Sequence, residues 1–280
     1  MKIICKPFSR SSIVLFFVLT LVWSDGIWIL LNPNLQQYFQ YNLSLNWAWL
    51  GLAGPGFGAL LMAFTINGIL GIKQLFAPLL RFRVPFYYYL FIYVGVFLFD
   101  CAASWVTALL HPPLYITGFA SLLETVHAPF FGWTGIGIFI QMTVIYTLCE
   151  ELGWRGFALP ALTHYMNAAY ASLLIGVVWT LWHIPLIYLY GSYFTPLTLM
   201  IYTFSIITST VAYSWLYFKT GKSLLMPGLL HGALNGFAGY FPLMASSIGQ
   251  GPNLSTVVLQ IIITSAMIPY LFSILPIKKH

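Results

Sequence analysis

The sequence predicts an all-α membrane protein, a bundle of about eight transmembrane helices, and two features carry that prediction. Of 280 residues, 60% are hydrophobic, 18% aromatic and only 6% charged, which leaves too little polar surface to cover a soluble globule of this size. The apolar residues fall into runs of about 20, the length that crosses a bilayer, broken at short turn-rich or charged segments. The spans read as 11–31, 47–66, 86–108, 134–158, 170–190, 196–218, 223–243 and 254–275. Little chain is left over, so residues 1–280 read as a single polytopic membrane domain.

The basic residues order these spans. Lys2, Lys6 and Arg10 precede the first span, Lys73, Arg81 and Arg83 lie in the connection 67–85, Lys219 and Lys222 separate spans six and seven, and Lys278 and Lys279 follow the last. Arg155 falls at the same end of span four, and the opposite connections contain no Lys or Arg. The positive-inside rule therefore predicts an integral membrane protein with both termini cytoplasmic. The net charge of +6 reads as topology and contact with anionic headgroups, with no nucleic-acid partner. The stretch from Lys73 to Arg83, interleaved with Leu75, Phe76, Leu79, Leu80 and Phe82, is expected along the inner membrane surface.

Several features read as structural. The first apolar run continues through Trp23 and Trp28 with no small-residue cleavage site, so an uncleaved first helix is expected. Cys5, Cys101 and Cys149 show no CxxC spacing, which points to neither a disulfide framework nor a thiolate zinc site. Gly51, Gly54, Gly56 and Gly58 in span two suit close approach of a neighbouring helix. His111, Glu124 and His127 share a proline-bearing outer connection and read as a solvated loop.

The chemistry is concentrated elsewhere. Two of only five acidic residues, Glu150 and Glu151, are adjacent in an apolar helix, where a single acid costs about 2.5 to 3.5 kcal/mol on insertion scales. In C-E-E-L-G-W-R-G, Glu151 and Arg155 are four apart with the acid first, the favourable order for a helical ion pair. Glu150 points about 100° away and has no local counter-ion. Span five carries His183 in V-V-W-T-L-W-H-I-P, and span seven carries His231 and Asn235 on one face in H-G-A-L-N-G. Glu150 and His231 are expected at similar depth in the inner half of the bilayer, with His183 somewhat deeper. Pro185 and Pro227 each free a carbonyl one turn earlier, as happens where helices line a wet cavity.

On these residues the sequence resembles the CPBP intramembrane proteases, also called the ABI family, which includes CAAX prenyl endopeptidases and bacterial proteins of bacteriocin maturation or immunity. The resemblance covers about residues 134–243, a catalytic-core segment, and rests on EExxxR at Glu150, Glu151 and Arg155, an intramembrane His at His183, and HxxxN at His231 and Asn235. It implies an endopeptidase of a bacterial plasma membrane that hydrolyses a peptide bond in a membrane-associated or prenylated CAAX-like substrate. In that reading Glu150 is the general base that activates water with His183, His231 and Asn235 stabilise the oxyanion, and Glu151 and Arg155 support the site.

Three other readings stay open at this level. Glu150, His183 and His231 suit a zinc ion that activates the water, although no HExxH pair is present. A transporter using the acids and histidines as a proton path would need polar residues continuing to both faces, whereas the outer halves of spans five and seven are aromatic and apolar. A non-catalytic scaffold or bacteriocin-immunity protein would keep the motif residues for structure alone. The turn 156–169 has no basic residue and leaves the substrate docking surface undefined.

Overall fold

A computed structural model describes residues 9–40, 43–44, 47–110, 132–189, 195–238 and 254–276, and no strand occurs among them. The helices are α1 (Arg10–Leu30), α2 (Pro33–Phe39), α3 (Ala48–Leu52), α4 (Gly54–Phe76), α5 (Phe86–Leu110), α6 (Trp133–Tyr146), α7 (Leu159–Leu162), α8 (Ala168–Leu189), α9 (Pro196–Lys219), α10 (Leu225–Ala238), α11 (Leu254–Ser265) and α12 (Ile268–Ser273). Two π-helical turns, Thr147–Glu151 and Trp154–Ala158, join α6 to α7. The outer-connection residues His111, Glu124 and His127, and Lys2, Cys5, Lys6, Lys278 and Lys279, lie outside the described residues.

Five helical stretches, beginning at Arg10, Gly54, Phe86, Ala168 and Pro196, are long and apolar enough to cross a membrane. A sixth span arises if the segment from Gly135 to Leu162 is counted as one, bent by 45° between Glu151 and Trp154. The second span differs most from the apolar run: a short helix at Ala48–Leu52 precedes it, and the crossing helix starts at Gly54 and is interrupted at Gly68. The last apolar run is divided into α11 and α12.

The outward faces are aliphatic, and the interior mixes apolar side chains with polar ones. On α1 the buried residues include Ser12, Thr20 and Ser24, while Val14, Leu15, Val18 and Val22 face outward. Polar side chains inside and aliphatic ones outside is the arrangement a hydrocarbon solvent selects. The Ser24 hydroxyl, for example, donates to the Gly51 carbonyl at 2.6 Å. Caps set the helix starts: the Ser9 oxygen accepts from Ser12 N–H, Asn167 Oδ1 accepts from Tyr170 N–H at the start of α8, and Thr195 caps α9 ahead of Pro196.

Contacts at one end gather three of the described basic residues, Arg10, Arg81 and Lys219. Arg10 stacks over Tyr165, Arg81 Nη1 donates to the Gly221 carbonyl at 2.7 Å, Ser223 donates to the Arg81 carbonyl, and Lys219 lies 3.9 Å from the Tyr270 ring centroid. The start of α1, the end of α4, the turn after α7, the end of α9 and α12 therefore share one end of the bundle. The expectation from the positive-inside rule is that this end faces the cytoplasm. A fluorescent protein fused at the C-terminus should accordingly fold and fluoresce, and alkaline phosphatase fused there should be inactive; the reverse pattern would invert the topology.

Candidate active site

The site is built where α6 gives way to its π-helical turns. Such turns recur at functional positions because the wider backbone re-aims the side chains it carries. Close packing on two sides holds this stretch. A Cβ on Gly228 of α10 would overlap the Thr147 hydroxyl, one on Gly232 would overlap Thr143, and one on Gly56 of α4 would overlap the Leu148 carbonyl. Only glycine lets the neighbouring helices come this near. Of the glycines the sequence suggested for helix approach, Gly56 backs directly onto the turn that carries Glu150, while Gly51, Gly54 and Gly58 pack against α1.

Glu151 is the hinge of the polar network. Its Oε1 accepts from Arg155 Nη1 at 3.0 Å and from His231 Nδ1 at 2.8 Å, and all three residues are buried. Arg155 also donates through Nη2 to the Thr210 carbonyl at 3.5 Å. Its guanidinium carbon lies 5.1 Å from the Trp179 ring centroid and 4.9 Å from that of Tyr213, within cation–π range of both. One carboxylate oxygen thereby ties the π-helical segment to α10, and its cation ties that segment to α8 and α9.

His231 is held on three sides. Tyr146 stacks on one face at 4.3 Å and 13°, Tyr213 stacks at 5.0 Å and 25°, and Trp179 meets the ring edge-on at 5.4 Å. Because the Glu151 oxygen already accepts from Arg155, Nδ1 of His231 is the donor in their contact. In the neutral ring Nε2 is then an acceptor; donation from Nε2 requires the imidazolium, for which Glu151 is the adjacent counter-ion. Asn235, one turn further along α10, is exposed, and its Nδ2 donates back to the His231 carbonyl at 3.2 Å.

Glu150 is buried but differently partnered. Its Oε2 accepts from the Trp179 indole N–H at 2.8 Å, and among the described residues it has no ion-pair partner. It lies within electrostatic range of His231, Glu151 and Arg155. His183 Nδ1 meets the Trp179 carbonyl at 2.9 Å. A carbonyl only accepts, so Nδ1 carries the proton and Nε2 of the neutral ring is free to accept. The His183 ring packs against Trp182 at 4.7 Å and Tyr202 at 5.6 Å, and is within electrostatic range of His231.

Glu150, His183 and His231 therefore meet around one tryptophan. The helical segments run further toward the basic end than the apolar runs suggested, to Leu162 before the turn and from Ala168 after it. Sequence reasoning noted Trp179 only as a neighbour of His183; its position one turn earlier on the same face was the available signal. Tyr146 and Tyr213 carried none, being two of 18 tyrosines in a chain whose helices are aromatic throughout. His164, in the turn after α7, is half-buried, and its Nε2 has no hydrogen-bond partner among the described residues.

A zinc ion would need Glu150, His183 and His231 to converge as ligands. Among the described residues no group of three His, Cys, Asp or Glu side chains is placed to hold a metal ion.

Two comparisons bear on this region. Residues 131–237 match the family described as type II CAAX prenyl endopeptidase Rce1-like. A stretch of 92 residues is 33% identical to CAAX prenyl protease 2 of Methanococcus maripaludis, covering 31% of this chain and 34% of that protein. The chain thus spans about a third of the length of this relative.

The network makes a stability prediction. Removing one partner of a buried ion pair costs about 3–5 kcal/mol because the other charge is left uncompensated. Arg155→Leu should therefore sharply lower the thermal unfolding temperature in detergent, and the double change Arg155→Leu with Glu151→Gln should recover part of the loss. Equal stability of Arg155→Leu and the parent would remove Glu151 from its central place.

Proposed function

We propose that this chain, whose residues 131–237 match the family described as type II CAAX prenyl endopeptidase Rce1-like, is an intramembrane endopeptidase that cleaves a prenylated, CAAX-like or otherwise membrane-associated peptide. The observation that carries the reading is the division of labour between two adjacent acids. Glu151 is committed to Arg155 and His231, whereas Glu150 is buried, held by an indole N–H and without a direct ion pair among the described residues. A buried carboxylate without an ion-pair partner is the group available to take a proton from water.

In this mechanism Glu150 is the general base. His183, fixed by its Nδ1–H on the Trp179 carbonyl, offers Nε2 to the same water and receives the shared proton. As water attacks the scissile carbonyl, charge builds on its oxygen. His231 in its protonated form donates there from Nε2, and Asn235 joins it by turning its amide away from the His231 carbonyl. The tetrahedral intermediate then collapses, and a proton returns from Glu150 or His183 to the departing amine, so that acid and carboxylate are regenerated. Arg155 stays clear of substrate and keeps Glu151 in place.

Positioned general bases contribute about 10²–10⁴-fold, and an oxyanion donor about 10²–10³-fold. Glu150→Gln and His183→Ala are therefore expected to abolish measurable cleavage of a farnesylated C-a-a-X peptide by protein reconstituted in liposomes. His231→Ala should act similarly, while Glu150→Gln still inserts and accumulates. A Glu150→Gln protein that cleaves at the parent rate would overturn the assignment of the base and favour a scaffold role. Activity should also survive removal of divalent cations by chelation; loss on chelation with recovery on adding Zn²⁺ alone would establish the metal-dependent alternative.

A further inference from the structure

We propose that Trp179 is a positioning residue of this site: its indole N–H pins one oxygen of the Glu150 carboxylate, so that the other is presented to the attacking water. The inference rests on the reading of Glu150 as base and gives a role to Trp179, one turn before His183, that the motif reading leaves unassigned. An indole nitrogen is a donor only, and this one has a carboxylate oxygen at 2.8 Å in a buried setting. The terminal torsion of a glutamate is broad and roughly two-fold. A single fixed donor selects one orientation of the carboxylate plane.

The rest of the tryptophan is committed as well, and that makes it a rigid support. Its carbonyl fixes the tautomer of His183, one face of its ring bears Arg155, and the ring contacts His231 edge-on. Two neighbouring tryptophans supply the contrast. Trp154 and Trp182 are buried with indole nitrogens that have no partner among the described residues. Aromatic filling in this core therefore does not require a hydrogen bond from the indole, and at position 179 the donor is aimed at an acid.

Phe at position 179 removes the donor and keeps an aromatic ring and the backbone carbonyl. 3-Benzothienylalanine keeps the whole bicyclic shape with sulfur in place of N–H, which separates the hydrogen bond from packing even if Trp179→Phe folds poorly. The first readout needs no substrate: in full-length protein labelled with ¹⁵N-tryptophan, the Trp179 indole signal, identified by its absence in Trp179→Phe, should move in Glu150→Ala while the signal of Trp23, whose indole donates to the Leu50 carbonyl, stays. An unmoved Trp179 signal overturns the proposal.

The second readout is kinetic, with the farnesylated peptide. Loss of the donor should lower kcat between about tenfold and about 10²-fold, the range for a misplaced reacting group, with KM changed less than about twofold. Trp154→Phe should leave kcat in place. Parent kinetics for the benzothienylalanine protein, or a change confined to KM, would overturn the positioning role. If the parent cleaves no peptide but the indole signal still responds to Glu150, the endopeptidase reading fails and the contact that positions Glu150 stands.

Discussion

The structure depends on one shared acceptor, Glu151 Oε1, which receives both Arg155 and His231. A buried carboxylate is costly unless it is paired and hydrogen-bonded, and here its partners come from its own segment and from α10. The network supplies a reason for these helices to meet at this depth and in this register. With Glu151 consumed, the neighbouring Glu150 is buried without a direct ion pair among the described residues, so the two adjacent acids have different surroundings.

Around that contact the fold is organised to keep rings and dipoles still. Glycines on α4 and α10 let backbone approach backbone beside the π-helical turn, and Tyr146 and Tyr213 close on the two faces of His231. Trp179 gives its N–H to Glu150 and its carbonyl to His183. Preorganised groups of this kind need little rearrangement as charge develops in a reaction, which is where their advantage over water lies. The outer surfaces of the same helices carry aliphatic side chains toward lipid.

Much of this was legible in the sequence because charge is so scarce in it. Glu150, Glu151 and Arg155 stand out in a chain with five acids, and helical periodicity alone pairs Glu151 with Arg155. The basic connections marked one end of the bundle, and the contacts of Arg10, Arg81 and Lys219 gather there. What could not be read is tertiary. That His231 bonds Glu151, and not Glu150, depends on a contact across 80 positions. The π-helical turns depend on backbone hydrogen bonding that no side-chain pattern encodes. The start of the second span was masked because apolar composition runs unbroken from Trp47 through the short helix at Ala48–Leu52 into α4.

The central claim is that this buried constellation delivers water to a peptide bond. The most direct measurement is the product of purified, liposome-reconstituted protein acting on a farnesylated C-a-a-X peptide in H₂¹⁸O, read by mass spectrometry of peptide and protein together. The account predicts cleavage within the C-a-a-X segment, one ¹⁸O in the new carboxylate after a single turnover, and no covalent peptide adduct on the protein. An intact peptide, or an acyl adduct on Cys149 or any other side chain, would contradict it.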